Sequence, residues 1–340
     1  MKKVLVTGGG GFVGKNIIRM LLDRGVECTA VGRNVYPAVE ELGARSLAVD
    51  IRDSAKVNEV VRDVDTVFHV AALAGIWGDW QDYYSINVQG TENILAACRK
   101  NNISRLVYTS TPSVVFDADD IEGGTESLPY PDKFLCHYAR SKVMAEKLVL
   151  AANDDTAGGS GFRTCAIRPH LIWGPGDPHL IPRLLEKGRS RELKIVGEGK
   201  NLVDISYVEN VAHAHVLAGF DLAAEGVSAG KPYFIGQPEP VNLWDWINQL
   251  FLKLGIAPVT KSVPFPVAYG AGAVLEGMYG VLGKKQEPRM TRFLALQLAK
   301  SHHFSHDAIE NDLGYSSVVS TEEGMEKLIT WIQHNEKTLL

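Results

Sequence analysis

KKVLVTGGGGFVG, residues Lys2 to Gly14, decides the fold. Val4, Leu5 and Val6 form a short apolar run rich in β-branched residues, and Thr7 then opens a stretch with glycine at 8, 9, 10, 11 and 14. From Phe12 to Leu22 apolar side chains recur at helical spacing: Phe12, Val13, Ile17, Met20 and Leu21. A strand that runs through a glycine turn into a helix is the context in which glycines signal dinucleotide binding. Gly8, Gly11 and Gly14 let backbone N–H groups approach a pyrophosphate. Phe12 and Val13 open the helix whose N-terminus adds partial positive charge.

The pattern repeats outward from this unit. A second strand spans Glu27 to Val31 and ends at Gly32-Arg33-Asn34. In a dinucleotide fold this strand end meets the adenosine ribose. An acidic residue there suits the 2′-hydroxyl of NAD, whereas Arg33 suits the 2′-phosphate of NADP, so NADP(H) is favoured over NAD(H). Ser46 to Val49 is a third strand, followed directly by Asp50-Ile51, and Lys56 to Val64 is a short amphipathic helix. Asp65 to Ala72 is the fourth strand; its end, Ala71-Ala72, should border the pyrophosphate and the nicotinamide ribose. His69, inside that apolar strand, reads as a packed core histidine. The loop Ala74 to Trp80 carries two tryptophans that serve either a ligand pocket or packing, and a helix is expected from Tyr83 to Lys100.

The chemistry-bearing stretch follows. Arg105 to Ser110 is a fifth strand running into Thr111-Pro112-Ser113, and further on Tyr138-Ala139-Arg140-Ser141-Lys142 opens a helix. Tyrosine and lysine at i and i+4 share one helix face. A phenol is a poor acid–base group near neutrality, with an unperturbed pKa of ~10. A nearby ammonium, together with an oxidised nicotinamide, favours the phenolate. In the reductive direction Tyr138 would give its proton to a forming alkoxide, and Thr111 would hold the substrate oxygen, with Ser110 as the fallback and as a cofactor contact. A sixth strand, Arg163 to Arg168, precedes Pro169-His170-Leu171.

Taken together, TG-x-x-G-x-x-G, Asn87-Val88-Gln89-Gly90-Thr91-Glu92-Asn93, Tyr138-x-x-x-Lys142 and RPHLIWGPGD (168–177) resemble the extended short-chain dehydrogenase/reductases. AIRPHLIWGPGDPHLIPRLL, GKNLVDISYVENVAHAHVLA and TSTPSVVF narrow the resemblance to the 3β-hydroxysteroid dehydrogenase family over most of the chain. That resemblance implies an α/β fold, a Rossmann-type doubly wound parallel sheet with a smaller, mostly helical C-terminal substrate domain. Residues 1–175 would form the NADP(H)-binding part, with 203–235 returning to it, and 176–202 and 236–340 the substrate-binding and lid region. It further implies that Asp50-Ile51 contacts the adenine, although on the residues alone a turn or helix-cap aspartate serves as well. The backbone of Pro169-His170-Leu171 would meet the nicotinamide carboxamide. Two substrates fit: a β-keto acid with a long 2-alkyl chain, reduced by NADPH to the 3-hydroxy acid, or a sterol oxidised at its 3-hydroxyl beside a departing 4-carboxylate. Arg33 tips the balance to the first. A sugar-nucleotide epimerase or dehydratase shares the signatures, but the apolar stretch Val263 to Gly283 (VPFPVAYGAGAVLEGMYGVLG) speaks against a polar substrate. This stretch is expected either as a helix pair buried against the domain or as an exposed lid over a lipophilic small-molecule substrate, with peripheral membrane contact open.

Bulk properties agree. Of 340 residues 45% are hydrophobic and 22% charged, as in soluble globular proteins, and a formal net charge of −5 gives no reason to expect nucleic-acid binding. Four scattered cysteines (28, 98, 136, 165), mostly in apolar stretches, suggest reduced thiols and a cytoplasmic setting, and no metal site is expected. Because the chain starts with a core strand, no signal peptide is expected. Glycines and Glu276 in 263–283 argue against a bilayer-crossing segment. A homodimer or a pathway-enzyme complex is left open. Ser320 and Glu323 form a capping box before a C-terminal helix.

Overall fold

The computed structural model describes residues 1–154 and 161–339. Seven parallel strands form its main sheet: β1 (Lys3–Thr7), β2 (Glu27–Gly32), β3 (Arg45–Ala48), β4 (Thr66–His69), β5 (Arg105–Thr109), β6 (Arg163–Pro169) and β7 (Pro232–Ile235). Their spatial order is β7-β6-β5-β4-β1-β2-β3. The chain winds outward from β1 in one direction through β3, then crosses back to β4 and winds the other way. The reversal leaves a crevice beyond the carboxyl end of β1, the place where doubly wound sheets bind ligands.

Period-2 alternation divides the two faces. Val4 and Val6 pack with α1 (Phe12–Leu22) and the later helix Val208–Leu222, while Leu5 packs with α2 (Ser54–Val60), α3 (Gly90–Lys100) and α4 (His137–Ala151). All four cysteines are free and buried. His69 is fully buried, as expected of a core residue.

Several boundaries differ from the periodicity. The helix expected over 56–64 spans 54–60, and Asp53 caps it by accepting from the Lys56 backbone N–H at 3.1 Å. The helix expected as one piece from Tyr83 is interrupted: one turn at Trp80–Tyr83, a π-helical stretch at Tyr84–Gln89, and then α3. The π turn aims Asn87 inward. Its amide clasps Leu73, accepting from the N–H at 2.7 Å and donating to the carbonyl at 3.0 Å. The same amide donates to Ser141 Oγ at 2.9 Å, tying the β4 loop to α4.

The helix Val208–Leu222 is α5, and α6 is Leu243–Lys253. A four-stranded sheet roofs the carboxyl edge, drawing Ile121–Gly124, Leu202–Val203, Val241–Asn242 and His302–Phe304 from four distant parts of the chain. Between its last two strands run α7 (Phe265–Val281) and α8 (Arg292–Ala299). The apolar stretch 263–283 is thus one helix after a two-residue strand, not a helix pair. It meets α8 closely, since a Cβ on Gly272 would lie 2.6 Å from the Thr291 carbonyl carbon. Glu276 clamps the contact by accepting from the backbone N–H and Nε of Arg292 at 2.6 and 2.7 Å. Only Ala268 and Gly272 of α7 are buried. No helix among the described residues is long and apolar enough to cross a membrane. The C-terminal helix α9 (Thr321–Leu339) starts where Ser320 Oγ accepts from the Glu323 N–H at 3.1 Å.

Candidate active site

The glycine turn is built for close approach. Gly8 has φ +67°, and a Cβ there would come within 2.9 Å of the Ala71 nitrogen. A Cβ on Gly14 would run into the Gly8 carbonyl, so α1 begins directly against the turn. Its N-cap, Gly11, offers no side-chain hydrogen bond, which leaves the first-turn N–H groups for an anion. A cleft of about 270 Å³ opens here. Gly8, Gly11, Arg33, Asp50, Ile51, Ala71 and Ala72, all singled out from sequence, line it. Phe12 follows at the helix start, while Val13 and Gly14 are buried behind it. The open N–H groups and absent side chains fit the pyrophosphate of a dinucleotide.

At the adenosine end, Arg33 is exposed and makes no ion pair among the described residues. Four more lining residues carried no motif: Tyr36, Arg52, Leu73 and Ile86. The Tyr36 ring fills the space where Gly10 and Gly32 lack side chains. Only the two glycines signalled it, since nothing in the sequence pairs them with a tyrosine. Asp50 is not a helix cap; that place belongs to Asp53. The Arg52 guanidinium grips its carboxylate, with Nη2 2.6 Å from Oδ2, and holds it below the usual carboxylate range, Arg33 adding to the effect.

Beyond the end of β5 lies the pair expected to handle the proton. Tyr138 and Lys142 stand one turn apart on α4. Burial dominates at Tyr138 and pushes the phenol up to about 12, with the Thr111 hydroxyl opposing that shift. Lys142 is 2% exposed. Its Nζ donates to the Thr109 carbonyl at 2.6 Å and stands 4.1 Å from the centre of the Tyr108 ring. Burial lowers this ammonium to about 7, against a raising influence from Glu146. Lys142 is thus engaged with Thr109, and desolvation governs Tyr138. Ser110 is buried, with an Oγ that has no hydrogen-bond partner among the described residues. His69 is fixed between Thr7 Oγ1 (2.8 Å) and Thr91 Oγ1 (2.9 Å), and burial lowers it to about 3.

Pro169, His170 and Leu171 do not line the 270 Å³ cleft. They turn away from the end of β6, with Leu171 at φ +39° and buried His170 Nε2 2.6 Å from His302 Nδ1. The tryptophan loop works as packing. Trp77 Nε1 donates to the Lys284 carbonyl at 3.2 Å, beyond the end of α7, and the Trp80 ring lies under Arg140 at 4.3 Å. Tyr138 shares an apolar cluster with Ile76, Phe116 and Phe293 and with Phe265 and Tyr269, the first turns of α7.

A phenol held neutral beside a cleft cut for a dinucleotide is the equipment of an NAD(P)-dependent oxidoreductase acting on C–OH and C=O groups, and the chain is one. It belongs to the 3-beta hydroxysteroid dehydrogenase/isomerase family, whose pattern matches residues 5–267. It is 47% identical to a 2-alkyl-3-oxoalkanoate reductase of Shewanella oneidensis over 95% of this chain and 84% of that one. A second protein of that name, from Stenotrophomonas maltophilia, is 44% identical over 96% and 98%. The sterol-4-alpha-carboxylate 3-dehydrogenase (decarboxylating) of Mus musculus is 31% identical over 99% and 92%. Among solved structures, gox2253 superposes with a TM-score of 0.79 at 25% identity, covering 98% and 99% of the two chains. A dTDP-glucose 4,6-dehydratase, DesIV of Streptomyces venezuelae, shares the fold at a TM-score of 0.75 and 23% identity, covering 99% of each chain.

Proposed function

We propose that this protein reduces a 2-alkyl-3-oxoalkanoate to the corresponding 3-hydroxy acid with NADPH. The observation that carries the reading is a phenol under an apolar roof: Tyr138, one turn before Lys142 on α4, packed with Phe265 and Tyr269, where burial pushes it up to about 12. A reductase needs an acid at this point, and a phenol titrating so high remains one across the neutral range. The roof suits an alkyl chain better than a sugar nucleotide, and the names of the bacterial relatives point the same way. Exposed Arg33 at the adenosine end supports NADP(H) over NAD(H).

When bound, the cofactor supplies the hydride. The chain does the rest. Gly8, Gly11 and the start of α1 hold the pyrophosphate through backbone N–H groups. Thr111 and the Tyr138 hydroxyl hold the keto oxygen, and Tyr138 gives its proton as the alkoxide forms. Lys142, one turn further along α4, is placed to return a proton to the phenolate that this leaves. The exposed face of α7, where Val274 is 63% and Val281 90% exposed, is proposed to rest on a lipid surface, with Lys284 and Lys285 beyond its end meeting anionic headgroups.

The test is a turnover panel with NADPH and NADH against a 2-alkyl-3-oxo acid, a 3β-hydroxysterol bearing a 4-carboxylate, and a UDP-sugar. NADPH-dependent turnover of the first supports the reading. Preferential NAD-dependent oxidation of the sterol, the activity named for the mouse relative, overturns it.

A further inference from the structure

Tyr138, Lys142 and Glu146 follow one another at intervals of four along the buried face of α4, so phenol, ammonium and carboxylate form a line. Glu146 is fully buried and does not line the dinucleotide cleft. It accepts from Arg168 Nη2 at 2.6 Å and Nε at 3.0 Å, and from the Tyr130 hydroxyl at 2.8 Å. Arg168 comes from β6 and is also buried, and its Nη1 has no hydrogen-bond partner among the described residues. An ion pair without solvent is poor stabiliser and is often replaceable by apolar residues, so its retention against the helix face of Lys142 calls for another account.

The surroundings of Lys142 supply one. From β5 it meets the Tyr108 ring and the Thr109 carbonyl. On β4, His69 lies within range of its charge and is held neutral by burial, locked between two threonines. On α4 itself Tyr138 stands one turn before it and Glu146, whose charge raises it, one turn after. Glu146 is therefore the anion that faces this ammonium. Arg168 and Tyr130, both behind Glu146, fix the carboxylate and temper its charge.

We propose that Glu146 is a positioning residue for the reaction: through its charge, held in place by Arg168 and Tyr130, it keeps Lys142 protonated in a site that otherwise favours the neutral amine. This rests on Tyr138 and Lys142 being the proton-transfer pair. At Lys142 burial works against the charged form and the Glu146 carboxylate, one turn further along α4, works for it.

The experiment replaces the pair as a unit, Glu146→Gln with Arg168→Met, so that no unpaired charge is left buried. The 13Cε resonance of Lys142, assigned by its loss in Lys142→Arg, is titrated in full-length protein without cofactor, and the pH profile of kcat is recorded alongside. The Lys142 midpoint should move at least one pH unit to the acid side, with the alkaline limb of kcat moving with it. An unmoved midpoint in the folded double variant overturns the proposal, as does a uniform loss of kcat without displacement. If the double variant does not fold, the single Glu146→Gln, which keeps an acceptor for Tyr130, is titrated under the same criteria. A midpoint that moves while kcat keeps its profile would retain the electrostatic link but refute Lys142 as a partner in proton transfer, which separates this failure from that of the functional reading.

Discussion

Lys142→Met should make the cofactor-free protein more stable while destroying its activity. A lysine in water titrates near 10.5, and burial brings Lys142 to about 7. At about 1.4 kcal/mol per tenfold, that fall opposes folding by about 5 kcal/mol wherever the unfolded chain is protonated and the folded site resists it. Methionine fills a similar volume without charge, but leaves the Thr109 carbonyl without its donor, a loss of about 1–3 kcal/mol. The variant should gain about 2–4 kcal/mol near neutrality and melt several degrees higher. The sign fixes the pH dependence. Between about 7 and 10.5 the unfolded state binds the proton that the folded state releases, so wild-type stability climbs through this window. The advantage of Lys142→Met is then fully present below about 7 and vanishes as pH approaches 10.5. Urea melts of both proteins at several pH values across this range provide the assay. A gap that is independent of pH, or a variant less stable than wild type at neutrality, would refute the account of Lys142 as a strained, desolvated ammonium.

Tyr138→Phe should lower kcat by about 10²-fold or more with NADPH binding unchanged by fluorescence titration, because only the proton donor is lost. Arg33→Asp should weaken NADPH by about 1.5–3 kcal/mol and leave NADH nearly untouched; equal losses would make Arg33 a structural residue. If the first turns of α7 cover the alkyl chain, kcat/KM should rise with substrate length by up to about 0.8 kcal/mol per methylene, and polar replacement of Phe265 and Tyr269, which pack around Tyr138, should flatten that slope. Wild type should co-float with phosphatidylglycerol vesicles more than with phosphatidylcholine vesicles, and Val274→Glu should abolish the difference; retention of binding by the variant would exclude α7 as the contact.

The sheet was legible because its strands are apolar runs and its turns carry glycine, so that local chemistry and global topology say the same thing. Gly8, Gly11, Arg33, Asp50 and Ala71-Ala72 line the cleft for the same reason: each sits at or just beyond a strand end, and strand ends converge at the reversal of winding. Tyr36 and Arg52 were invisible, because their place depends on contacts across the loops rather than on spacing. The π turn at 84–89 was equally hidden, since the apolar periodicity of Ile86, Val88 and Ile94 continues through it. Val263–Gly283 was ambiguous for a physical reason: a helix apolar all round reads the same whether neighbours cover it or not.

The roofing sheet also sets the order in which the protein can assemble. Every strand of the main sheet has been laid down once Ile235 is in place, and most of its pairings join strands adjacent in sequence. The roof must wait for His302–Phe304, whose approach closes a loop of 181 positions between Asp120 and Ser301. Closure over such a separation is slow to find and rewarded only at the end. A growing chain therefore completes the floor for the nicotinamide cofactor well before the ceiling over the substrate. A chain cut short after Ile235 would have every strand of the dinucleotide sheet and none of α7, α8 or the last roofing strand, and the apolar surface around Tyr138 would stand open to water and to other chains.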